Sequence, residues 1–111
     1  MSAREAGSVG APGRIRGTMA DLVRVNLKIW GVVQGVGYRY FVRQTAEALG
    51  VGGYVRNRAD GGVEVVAEGD RAAINALIDD LREGPRYGSV DRIDVEWEEP
   101  TGGFQGFDYA F

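Results

Sequence analysis

The segment Gly31-Val32-Val33-Gln34-Gly35-Val36-Gly37-Tyr38-Arg39 joins an alternating stretch of chain to one with helical spacing. Its glycines let a loop curl so that successive N–H groups point inward, and a helix that starts there adds unpaired N–H groups and the positive end of its dipole. Such a place holds an anion. It is not a nucleotide P-loop, because no Gly-Lys-Ser/Thr follows, and Tyr40 stands where the third glycine of a dinucleotide fingerprint belongs. Glycines alone would mean no more than a tight strand-to-helix connection. Arg39 adds to them. Helical side chains lean toward the N-terminus, so a guanidinium in the first turn reaches back over the loop and can complete a phosphate cradle. Arg43 lies one turn further on and is suited to pair with Glu47 at i+4. Asn57 precedes the turn residues Asp60-Gly61, on the face of Val55 and opposite Tyr54, Arg56 and Arg58. Its amide has two uses there: capping the turn, or orienting a water.

The chain has no histidine and no cysteine. The usual general base, thiolate nucleophiles, disulfides and zinc–thiolate sites are thereby excluded. Carboxylate chemistry remains, or catalysis by positioning and electrostatics through arginine, asparagine and backbone amides. Twelve of the thirteen basic residues are arginines, the side chain suited to planar recognition of phosphate. Net charge is −3, with Arg4, Arg14 and Arg16 in the first 20 residues. An acidic body argues against broad binding to a nucleic-acid backbone. Asp79, Asp80, Glu83, Glu96, Glu98 and Glu99 read as solvated faces, and Trp30, Tyr38 and Tyr40 as packing or rim.

The elements that must position these groups are well marked. Val23, Val25, Leu27 and Ile29 alternate with Arg24, Asn26, Lys28 and Trp30 as in a half-buried strand. Tyr38, Phe41, Val42, Thr45, Ala46 and Leu49 mark one helical face, with Gly50 placed as a left-handed cap. Val51 to Arg58 and Val63 to Glu68 predict a hairpin about Asp60-Gly61. Asp70 stands as N-cap of a second helix carrying Ile74, Leu77, Ile78 and Leu81, which Gly84-Pro85 stops. Val90 to Trp97 is strand-like, Pro100 to Gly103 a turn, and Phe107, Tyr109 and Phe111 alternate in a last short strand. The order β-α-β-β-α-β plus a terminal β predicts an α+β, ferredoxin-like sandwich: an antiparallel sheet with both helices on one face.

With 44% hydrophobic residues, 111 residues suit one domain over residues 21–111. Residues 1–20 lack apolar periodicity and are expected to be a disordered extension, with Met19 a candidate start. No apolar run approaches the roughly 20 residues that span a bilayer. A cytoplasmic monomer, contacting neither membrane nor nucleic acid, is the expectation.

The loop Gly31-x-Val33-Gln34-Gly35-Val36-x-Tyr38-Arg39 resembles the acylphosphatase signature, and Gly53-Tyr54-Val55-x-Asn57-x-x-Asp60-Gly61-x-Val63 resembles that family's second motif. The resemblance continues through Gly69 and Gly84-Pro85 and covers about residues 22 to 111. Tyr54 stands where the family often has tryptophan, and Ala110-Phe111 where a more polar ending is common. The resemblance implies hydrolysis of small acyl phosphates without metal or cofactor, with inorganic phosphate as product and competitive inhibitor. It implies that the loop residues Val33, Gln34, Gly35, Val36, Gly37 and Tyr38, together with Arg39, bind the phosphate, and that Asn57 holds the attacking water. A carboxylate leaves readily, so neither a strong general acid nor a metal is required. The competing class is a non-catalytic phosphate- or RNA-binding module on the same fold, which Tyr54 with Arg56 and Arg58 would suit. A relic of the similar domain in larger carbamoyl-transfer proteins is a related alternative.

Overall fold

A computed structural model describes residues 22–111, so the expected extension over residues 1–20 lies outside the described residues. The elements follow the predicted order: β1 (Leu22–Val32), α1 (Tyr38–Leu49), β2 (Gly52–Asn57), β3 (Val63–Asp70), α2 (Arg71–Glu83), β4 (Ser89–Glu98) and β5 (Phe107–Tyr109). They build a five-stranded sheet in the order β4-β1-β3-β2-β5. The first four strands pair antiparallel, which is the ferredoxin-like arrangement.

The fifth strand differs from a wholly antiparallel sheet. It pairs parallel with β2, Gly53 opposite Phe107 and Val55 opposite Tyr109, which makes the sheet mixed. The reason is topological. β1 and β2 run one way and β3 and β4 the other, so a chain that leaves β4, crosses to the far edge and turns back runs in the sense of β2.

One sheet face carries the core. Val25, Leu27 and Ile29 of β1, Val63, Val65 and Ala67 of β3, and Val55 of β2 are fully buried with Val42 and Ala46 of α1 and Ile74, Leu77 and Leu81 of α2. The valine, leucine and isoleucine side chains among them each contribute about 1.5–3 kcal/mol on burial. Gly50 ends α1 in the left-handed conformation, its N–H reaching the carbonyls of Ala46 and Glu47. Asp70 occupies the N-cap position of α2, but its side chain makes no capping hydrogen bond. β1 continues past Trp30 through a bulge against β4 to Val32, so the loop proper begins at Val33.

The opposite face is covered by charge pairs and by the chain crossing to β5. Glu68 is 5% exposed and accepts bonds from the Thr101 N–H at 2.7 Å, the Gly102 N–H at 2.8 Å, the Thr101 hydroxyl at 3.0 Å and Arg24 Nη1 at 3.0 Å. Arg24 also meets Glu98 at 2.9 Å. Glu64 is held by Asn26 Nδ2 at 2.8 Å and Arg56 Nε at 2.6 Å. These bonds satisfy buried carboxylates that would otherwise be costly to desolvate.

Candidate active site

Val33, 1% exposed, anchors the start of the β1–α1 loop in the core. Gly35 and Gly37 then take φ of 78° and 79°, a backbone that side chains avoid, although an added Cβ would meet nothing within 4 Å at either. The requirement is conformational rather than steric. Gly37 is also the N-cap of α1; it has no side chain to bond the first-turn N–H groups, and no acid lies in that turn. The helix therefore begins with open donors and an unneutralised positive dipole end. Tyr38 fixes its placement, being 1% exposed with its hydroxyl donating to the Leu81 carbonyl of α2 at 2.8 Å. Burial pushes the phenol's pKa well above its ordinary value.

Arg39, half-buried in the first turn, forms no ion pair among the described residues. Its Cζ lies 5.8 Å from the Tyr109 ring centroid. Arg43 reaches the same ring at 5.2 Å and pairs with Glu47 at 3.4 Å, the i+4 partner expected for it. The Tyr109 hydroxyl first, and Glu47 second, hold the Arg43 pKa above its ordinary value.

Asn57 ends β2, exposed, and its side-chain amide bonds no partner among the described residues. The turn is closed by another residue. Asp60 Oδ1 accepts the Gly62 N–H at 3.0 Å, and Arg58 pairs with Asp60 at 2.9 Å. The Arg58 guanidinium and then the Gly62 N–H hold the Asp60 carboxyl down to about 2. The turn is thus capped by Asp60 and not by Asn57.

A cleft of about 310 Å³ brings these groups together. Its walls are Val33, Gly35 and Gly37 from the loop, Tyr38, Arg39 and Tyr40 from α1, Asn57 from β2, and Tyr109 and Phe111 from the C-terminal segment. No carboxylate side chain is among them, which suits an anionic ligand. Of the residues singled out in the sequence, Gln34 and Val36 lie off the lining. Val36 packs against the core, and Gln34 turns its amide to the hairpin, donating to the carbonyls of Arg58 and Gly62 at 2.9 Å each. Tyr109 and Phe111 are the wall residues that sequence reasoning did not find; only their alternation with Phe107 was visible.

Arg56 is paired with Glu64 and Arg58 with Asp60, and Tyr54 is capped by the Phe104 ring, edge-on at 6.2 Å. Tyr54, the substituted tryptophan position, therefore packs under the crossing chain and away from the cleft. Trp30 likewise packs, with Arg92 at 4.9 Å and Arg58 at 5.7 Å from its ring.

The model of the family Acylphosphatase matches residues 25–109 of the chain, which includes the loop, Arg39 and Asn57. The chain belongs to the acylphosphatase family. It is 46% identical over 84 residues to an acylphosphatase of Salinibacter ruber, covering 76% of this chain and 88% of that one. To an acylphosphatase of Thermococcus kodakarensis it is 49% identical over 85 residues, covering 77% and 92%. The crystal structure of an acylphosphatase from Bacillus subtilis superposes with a TM-score of 0.78 at 32% identity, over 80% of this chain and 99% of that one. Full-length HypF, solved in a phosphate- and nucleotide-bound form, matches with a TM-score of 0.73 at 27% identity over 90% of this chain but only 13% of its own length. The protein is an acylphosphatase enzyme on a ferredoxin-like α+β fold. No helix among the described residues is long and apolar enough to cross a membrane.

Proposed function

We propose that this acylphosphatase hydrolyses the carboxyl–phosphate bond of small acyl phosphates without a metal ion, and that the cleft of Arg39 and Asn57 is where it does so. The observation that carries this reading is that the contiguous glycine loop and Arg39 share one cleft with Asn57 of β2, and that the walls of this cleft hold no carboxylate side chain. The phosphoryl group rests on the loop and first-turn N–H groups, with the guanidinium of Arg39 across it. The Asn57 amide, with no protein partner among the described residues, orients a water for in-line attack on phosphorus. The new P–O bond forms from that water as the P–O bond to the acyl carboxylate breaks, and the carboxylate leaves with the electron pair. The water's proton passes to a phosphate oxygen. Phosphoryl transfer asks mainly for positioning and charge stabilisation, which these groups supply. Part of this reading are the single-chain working form and the cytoplasmic location expected from the sequence.

The test is hydrolysis of benzoyl phosphate by the wild type, Arg39→Ala and Asn57→Ala in the presence of EDTA. Undiminished wild-type turnover, a loss of about 10²-fold or more in each variant with folding retained, and competitive inhibition by inorganic phosphate are expected. Chelator sensitivity would remove the metal-independent part, and full activity in either variant would remove that residue's role.

A further inference from the structure

We propose that Tyr109 is a positioning residue for Arg39, a role that rests on the reading of Arg39 as the phosphate ligand. A guanidinium that must bind phosphate has to be held without losing the donors that do the binding. A carboxylate partner would hold Arg39 but would occupy its N–H fork and cancel its charge. An aromatic face attracts the cation and leaves every N–H free at the edge of the plane. That is the arrangement found. The Tyr109 ring lies 5.8 Å from the Arg39 Cζ, and among the described residues no acid pairs with Arg39.

The ring is itself held from two sides. Arg43, one helical turn along α1 and paired with Glu47 at 3.4 Å, takes up the same ring at 5.2 Å. On the strand side, Tyr109 sits opposite Val55 in the parallel ladder, and the Ala110 N–H bonds the Val55 carbonyl at 2.9 Å. Val55 lies two residues before Asn57 on β2, so the ring ties the position of the guanidinium to the strand that carries the water-binding amide. A long, flexible side chain is thereby ordered before substrate arrives rather than by it.

The experiment measures the dissociation constant of inorganic phosphate by phosphorus NMR for Tyr109→Phe, Tyr109→Leu and Tyr109→Met, each in the wild-type and Arg39→Ala backgrounds. Circular-dichroism melting reports folding, and Leu and Met together guard against one failing to pack. Tyr109→Phe keeps the ring and is expected to bind phosphate as the wild type does. Leu and Met are expected to weaken binding about two- to fivefold, the size of an exposed cation–π contact. In the Arg39→Ala background the same changes are expected to do nothing more. Weakening of equal size in that background, loss in Tyr109→Phe equal to that in Tyr109→Leu, or no change in any Tyr109 variant would overturn the proposal. Arg39→Ala binding phosphate as tightly as the wild type would instead overturn the underlying reading, and the Tyr109 role with it.

Discussion

The side-chain amide of Gln34 bonds the carbonyl of Gly62 at 2.9 Å, and the carbonyl of Arg58 at the same distance, so a loop residue clasps the hairpin turn at both ends. The clasp joins the segment that leads into Arg39 to the one that carries Asn57. Gln34→Ala is expected to cost about 1 kcal/mol in stability, the net worth of a typical hydrogen bond. It should lower kcat more than it weakens competitive inhibition by phosphate, because the cradle stays intact while its alignment with the water loosens. Urea denaturation and steady-state kinetics check both.

Asn57 separates binding from attack. Asn57→Ala should leave the affinity for inorganic phosphate near that of the wild type while kcat falls. Asn57→Asp places a carboxylate side chain in a cleft whose walls hold none, so phosphate affinity should fall as well at neutral pH and recover in acid as the new carboxyl protonates. Phosphate titrations at two pH values distinguish the variants.

Tyr38 couples the helices through its bond to the Leu81 carbonyl. Tyr38→Phe removes the donor and leaves a buried acceptor, at a cost of about 1 kcal/mol, or a fall of about 4–8 °C in Tm for a domain of this size. Because burial raises the phenol's pKa, the wild-type bond should persist into alkaline solution. The unfolded chain gives up this proton first, so thermal melts of the two proteins should keep a constant separation from neutral pH to about 10, the phenol's ordinary value, and converge above it.

The buried carboxylates set the acid limit. For Glu68, burial favours the neutral form, but bonds from the Thr101 N–H, Arg24, the Gly102 N–H and the Thr101 hydroxyl outweigh it and hold the carboxyl below the ordinary 4.5. Glu64 is lowered in the same way: burial opposes ionisation, and Asn26 and Arg56 overcome it. A depressed folded-state pKa means that the unfolded chain takes up protons first. The stabilisation is complete above 4.5 and is lost as pH falls from there through the folded-state values. Glu68→Gln should start less stable near neutrality and fall less steeply in acid, as urea midpoints across that range would show.

The fold was legible because its signals are local. Alternation in Val23 to Ile29, the glycine at position 50 and the Asp60-Gly61 turn each act within a few residues, and each element formed within a residue or two of its expected place. Arg39 and its loop were legible for the same reason, since the direction of a helical side chain is set by the helix. What escaped depends on distant partners. Nothing around Tyr109 says that it will lie parallel to Val55, and nothing around Glu64 or Glu68 says that a crossing chain and two arginines will bury them. Gln34 read as one more loop residue because its partners, the carbonyls of Arg58 and Gly62, belong to the backbone and leave no mark in side-chain pattern. Asp70 shows the converse: position alone named it as a cap, and its carboxylate makes no bond there.

The parallel pairing of β5 with β2 also imposes an order in time. Loop, Arg39 and Asn57 precede α2 and β4 in the chain, whereas the ring against Arg39 belongs to the strand that docks after the crossing. As synthesis proceeds from the N-terminus, the early part of the chain leaves the ribosome with one wall of its cleft still unmade. A nascent acylphosphatase is accordingly incomplete at its cleft until Tyr109 has emerged and found Val55.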